Sequence, residues 1–151
     1  MYREFQFSTL PMVALAATEI LLTYLFINDV GSKPMGTAGY SLVTGLNLVI
    51  MLLFYGMTTH IDHNKLVVKF GLGLIKRTVA LESVESVEIV KSPWYYGWGL
   101  RYIPNGRMYN VSGSSCVALK LKPGRVVWIG TRLPETLHAA LMSTVRDLNH
   151  H

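Results

Sequence analysis

The run Leu10-Pro11-Met12-Val13-Ala14-Leu15-Ala16-Ala17-Thr18-Glu19-Ile20-Leu21-Leu22-Thr23-Tyr24-Leu25-Phe26-Ile27-Asn28 decides what kind of molecule this chain makes. Its 19 residues carry one charge, Glu19, and a second run of 19, from Tyr40 to Thr58, carries none. At 1.5 Å per residue each helix would extend about 28 Å, close to the ~30 Å hydrocarbon core of a bilayer. Tyr24, Tyr40 and Tyr55 lie toward the ends of the runs, where amphipathic rings suit the interface. A cleaved signal peptide fits poorly, because no basic n-region or small-residue cleavage site is evident and a second apolar run follows. A buried helical pair in a soluble fold is the other alternative. Between the runs, Gly31, Pro34, Gly36 and Gly39 favour a turn, so the expectation is a two-helix transmembrane hairpin.

The remaining composition agrees with an anchored protein. Of 151 residues, 50% are hydrophobic and 15% are charged, against about 25% charged in ordinary soluble domains. A disordered chain is excluded by the apolar content, and a disulfide scaffold by the presence of a single cysteine, Cys116. Residues 1–58 contain Arg3 and Lys33 against Glu4, Glu19 and Asp29, whereas residues 59–151 carry twelve basic and six acidic groups. Lys33 is the loop's only cation, and Lys65, Lys69, Lys76 and Arg77 follow the second run closely. The positive-inside rule therefore predicts cytoplasmic termini and a cytoplasmic rear domain.

The rear half, residues 59–151, reads as strands followed by one helix. Short β-prone runs occur at residues 58–61, 65–70, 74–81, 84–90, 107–111, 116–121 and 126–129, separated by turn chemistry such as Asp62-His63-Asn64 and Lys122-Pro123-Gly124. Six or seven strands at this spacing predict an antiparallel barrel or sandwich. The period then changes: Leu137, Leu141, Val145 and Leu148 form the apolar stripe of a helix over residues 134–148. Pro134 and Glu135 suit its first turn and Arg146 its last. An α+β domain of many strands closed by one amphipathic helix has the outline of a pleckstrin-homology-like (PH-like) barrel.

The segment Pro93-Trp94-Tyr95-Tyr96-Gly97-Trp98-Gly99-Leu100-Arg101-Tyr102, followed by Asn105-Gly106, Tyr109-Asn110-Val111-Ser112-Gly113 and Ile129-Gly130-Thr131, carries a resemblance. Together these residues resemble bacterial membrane-anchored PH-like proteins, a family of unknown function, over roughly residues 58–148. The resemblance implies a PH-like fold behind membrane helices at the bacterial inner membrane. It implies no ligand.

Several residues are candidates for function. Trp94, Tyr95, Tyr96 and Trp98 suit a lipid or partner interface, or alternate into the core where Gly97 and Gly99 permit a bend. Lys65, Lys69, Lys76, Arg77, Lys91, Arg101 and Arg107 would attract an anionic leaflet at about 1 kcal/mol each near its surface, or simply solvate a strand face. Glu19 is costly mid-bilayer, at about 2–3.5 kcal/mol by analogy with other charges. Asn47 and Thr44 fall near the same depth in an antiparallel hairpin, so the expectation is a Glu19 hydrogen bond to one of them or to a neighbouring chain; a proton relay lacks a second acid or a histidine. His60-Ile61-Asp62-His63 does not have a zinc pattern. His150-His151 is a natural tail or a tag remnant. Cys116 suits a buried structural thiol.

No nucleophile elbow, phosphate-binding glycine loop or paired-acid motif is present, and no nucleic-acid recognition motif. The expected protein is therefore a non-enzymatic inner-membrane protein without a cofactor or metal. Its PH-like module would bind a protein partner, anionic lipid or both at the cytoplasmic face, with Trp94, Trp98 and Arg101 foremost. The alternative is a small accessory subunit of a larger membrane complex, held mainly through its hairpin. Homo-oligomerisation is left open.

Overall fold

A computed structural model describes residues 2–96, 99–111 and 114–151. Strand β1 (Arg3–Phe7) comes first, then helices α1 (Thr9–Ile27) and α2 (Thr37–Phe54). Three strands follow, β2 (Gly56–Asp62), β3 (Lys65–Phe70) and β4 (Ile75–Ala80). A second group comprises β5 (Val84–Lys91), β6 (Gly99–Ile103), β7 (Gly106–Asn110), β8 (Ser115–Leu121) and β9 (Arg125–Gly130), and helix α3 (Pro134–Asn149) closes the chain. The protein is thus two long apolar helices, a β-rich domain of two sheets and a C-terminal helix.

Helices α1 and α2 have mean hydropathies of 1.9 and 1.7, and only 6% of either span is buried. They are long and apolar enough to cross a membrane, and their exposure is unlike that of a soluble core helix. The second apolar run divides at Tyr55: α2 ends at Phe54, and Gly56, Met57 and Thr58 already belong to β2.

Sheet one has the order β1-β2-β3-β4 and is antiparallel throughout. Sheet two has the order β5-β8-β9-β7-β6, with one parallel pair, β7 and β9. The seven strands expected from the sequence are present, and β1 and β6 are additional. The all-antiparallel expectation is corrected by the β8–β9 hairpin, which inserts between β5 and β7 and leaves β9 running alongside β7 in the same direction. Nor do the strands clearly form a single barrel: they make two sheets facing each other. A division at residue 58 also separates β1 from its partner. Arg3–Phe7 pairs with β2 in register Phe5↔Thr58, so the helical hairpin is an insertion between two adjacent strands of one sheet.

The main core lies between the sheets, where Leu66, Val68 and Phe70 of sheet one meet Tyr109, Val117 and Ile129 of sheet two. The α3 stripe completes it: Leu137 and Leu141 are fully buried, and His138 Nε2 donates to the Val87 carbonyl at 3.1 Å. Burial on this scale is worth roughly 1.5–3 kcal/mol per large apolar side chain.

Candidate functional site

The hairpin turns three polar side chains, Glu19, Thr44 and Asn47, toward its own interior. Thr44 Oγ1 donates to one carboxyl oxygen of Glu19 at 2.8 Å, and Asn47 Nδ2 donates to the other at 2.8 Å and to the Leu15 carbonyl at 3.2 Å. Asn47 is buried. The structure therefore brings Glu19, Thr44 and Asn47 together within one chain, and no second acid or histidine joins them among the described hydrogen bonds. Toward the connector, Thr23 and Tyr40 hydroxyls lie 3.0 Å apart. The Tyr40 ring stacks on Phe26 with centroids 4.3 Å apart.

The base of the hairpin is fastened to sheet one. Ser8 N–H donates to the Tyr55 carbonyl at 2.9 Å, closing the insertion where β1 leaves and β2 begins. Gly71, in the β3–β4 turn, donates its N–H to the Gly56 carbonyl at 2.8 Å. It has φ 53°, and a Cβ there would collide with the Leu52 and Leu53 carbonyls at the end of α2. Only glycine lets the turn approach the helix so closely. Strand β1 is anchored from the other sheet: Gln6 Nε2 donates to the Gly130 carbonyl at 2.8 Å, and Thr131 Oγ1 donates to Glu4 at 2.6 Å. Tyr2 donates its hydroxyl to the same carboxylate at 2.5 Å, and burial, then the Glu4 hydrogen bond, hold its pKa well above the usual phenol value.

Beside this joint lies an apolar and basic rim. Strand alternation places Arg3, Phe5 and Phe7 of β1 on the outer face of sheet one, in line with His60 and Thr58 of β2, Lys69 of β3 and Lys76 of β4. At the helix end of that face, Leu72 and Leu74 project from the β3–β4 turn with 64% and 75% of their surface exposed. His60 has its pKa lowered, first by desolvation and then by Lys69, with Arg3 and Lys76 adding in the same direction. A second feature at the same end is an apolar groove of about 640 Å³, lined by Pro11, Leu15, Ile50, Phe54 and Leu100, with Arg101 also on its wall.

Of the seven basic residues expected to act as one face, Lys91 ends β5 opposite Ser115 and the other six are distributed over three places. Lys69 and Lys76 share the outer face of sheet one, with Lys65 at its far end. Arg101 lies at the hairpin groove. Arg77 and Arg107 line a separate cleft between the sheets. Sequence periodicity could not have divided them this way, because the division depends on which side of each strand faces the opposite sheet.

The aromatic segment also divides. Tyr96 packs toward Trp128, with centroids 6.1 Å apart, over a small cluster of Ile103, Met108 and Cys116 on the back of sheet two. Trp94 is 89% exposed and Tyr95 is exposed beside it. Trp98 lies outside the described residues. Cys116 is fully buried, and desolvation pushes its thiol pKa up to about 11. Among the described residues no group of three or more histidine, cysteine, aspartate or glutamate side chains could hold a metal ion. Neither the protein-family models nor the curated proteins include a match to this chain.

Proposed function

We propose that this protein is a membrane-anchored interaction module: its hairpin spans a bilayer and holds the β domain against an anionic leaflet. The observation that carries the reading is the joint itself. Because β1 and β2 are adjacent and antiparallel, both helices leave sheet one at the same end. The two most exposed leucines of the β3–β4 turn, and the cations Lys69 and Lys76, lie at that end too. Leucines sunk into the interface and lysines above them would contribute apolar burial and about 1 kcal/mol per cation at an anionic surface. The positive-inside distribution favours the cytoplasmic face of a bacterial inner membrane. The order of sheets followed by a helix, with Leu137 and Leu141 in the core, supports treating the domain as PH-like. Both Glu19 oxygens accept hydrogen bonds within the hairpin, which favours a self-contained anchor over one that needs another subunit.

The test is amide hydrogen exchange on the full chain in nanodiscs. Residues 71–74 should exchange more slowly in discs containing phosphatidylglycerol than in pure phosphatidylcholine, and Lys69→Glu with Lys76→Glu should remove the difference. Equal exchange in both lipids would show that the rim does not rest on the leaflet.

A further inference from the structure

The cleft between the sheets has a feature that neither a membrane anchor nor a lipid-facing rim explains. It measures about 460 Å³ and is lined by Arg77, Arg107, Lys122 and Arg125, with no aspartate or glutamate on its walls. None of these four cations has a carboxylate within 4.0 Å among the described residues.

Three of them lie on the side of their strands that carries core residues, with their side chains exposed at the margin of the sheets. Arg77 lies between Ile75 and Val79 on the inner side of β4, opposite buried Val68. Arg107 shares a side of β7 with buried Tyr109, and Arg125 shares a side of β9 with Val127 and Ile129. Strand periodicity expects an apolar residue at each of these places. Inward charges on edge strands can serve to block edge-to-edge pairing. That would account for Arg77 on the edge strand β4, but β7 and β9 are interior strands of sheet two. Like charges converging on one cleft repel each other, and an anion between them would relieve the repulsion.

The geometry points to a binding site for a soluble, multiply phosphorylated small molecule. Three arginines supply planar forks suited to phosphate oxygens, and one lysine supplies a point charge. The Arg107 guanidinium is already braced over the Tyr102 ring, 5.2 Å from its centroid. The volume lies within the ~300–1,000 Å³ of small-molecule sites. A headgroup of the anchoring membrane is disfavoured by position. Phe54 at the end of α2 contacts Phe70, Phe70 contacts Tyr109, and the cleft opens beyond Tyr109 from the helices.

The experiment titrates pyrophosphate and ADP into the full chain in phosphatidylcholine nanodiscs, followed by calorimetry. Saturable one-site binding is expected for at least one of them. It should weaken on the order of tenfold or more in Arg107→Gln and in Arg125→Gln, while Arg146→Gln, on an exposed cation of α3 away from the cleft, leaves it unchanged. Arg107→Lys separates charge from fork geometry, and thermal unfolding of each variant checks that the fold is retained. No binding of either probe, or binding indifferent to both arginines, overturns the proposal. Loss of probe binding when phosphatidylglycerol is added to the disc, at a salt concentration that screens the bilayer's surface charge, would assign the cleft to lipid headgroups and overturn the soluble ligand. None of these outcomes depends on whether the rim at residues 71–74 is protected.

Discussion

At the scale of single residues, Glu19 and Asn47 show how an apolar environment changes the value of a hydrogen bond. In water, Asn47 would have solvent to bond with; if the hairpin lies in hydrocarbon, its partners are Glu19 and the Leu15 carbonyl. Removing Asn47 alone leaves one oxygen of Glu19 without its donor while Thr44 still bonds the other, and a buried acceptor stripped of its partner costs more than removing both groups. Asn47→Leu should therefore destabilise the hairpin by about 1–2 kcal/mol, the upper range for interhelical polar contacts in membranes. The double variant Glu19→Leu/Asn47→Leu should recover most of that loss. A double-mutant cycle on unfolding in mixed micelles measures the coupling, and simple additivity would show that the two side chains do not depend on each other. This contact was legible in the sequence, because a lone carboxylate and a lone amide at matching depth leave few other partners. The gathering of arginines at the cleft was not. Arg77, Arg107 and Arg125 sit in runs whose alternation is imperfect, and only the register against the opposite sheet shows which side each occupies.

At the scale of elements, the structure departs from the sequence reading where patterning runs backwards. Strand β1 reads Arg-Glu-Phe-Gln-Phe and exposes Phe5 and Phe7 while burying Gln6. Alternation alone would turn it over, since nothing in the sequence announces that Gly130 offers Gln6 a carbonyl. Strand β6 is short, lies at an edge and follows an aromatic segment that obscures its start. By contrast, the strong 3.6-residue stripe of α3 and the continuous apolarity of α1 and α2 left little room for another reading. The joint between α2 and the β3–β4 turn depends on Gly71. Gly71→Ala must adopt a left-handed backbone and push against the Leu52 and Leu53 carbonyls. Backbone strain of this kind costs on the order of 1–3 kcal/mol. The expected result is a lowered melting temperature of the β domain, with helix content retained. An unchanged melting temperature would mean that the turn moves away from α2 freely.

At the scale of the whole molecule, the insertion of the hairpin between β1 and β2 constrains sidedness more tightly than charge counting does. The two strands are paired from Arg3↔His60 to Phe7↔Gly56, and the Ser8–Tyr55 backbone bond ties the helix ends together. If α1 and α2 cross a bilayer, the connector must lie on one side, and the N-terminus, the whole β domain and α3 on the other. Single cysteines at Ser32→Cys in the connector and His151→Cys at the C-terminus test this in intact spheroplasts with a membrane-impermeant maleimide. The native thiol should stay silent, because Cys116 is fully buried and desolvation pushes its pKa up to about 11, leaving almost no thiolate near neutral pH. Ser32→Cys should label from outside and His151→Cys only after lysis. The reverse pattern would keep the spanning hairpin but invert its orientation, placing Lys69 and Lys76 against the outer leaflet. Labelling of both from the same side would rule out a spanning hairpin, because paired strands at its base leave no route by which the connector and the β domain could share a side across two crossings.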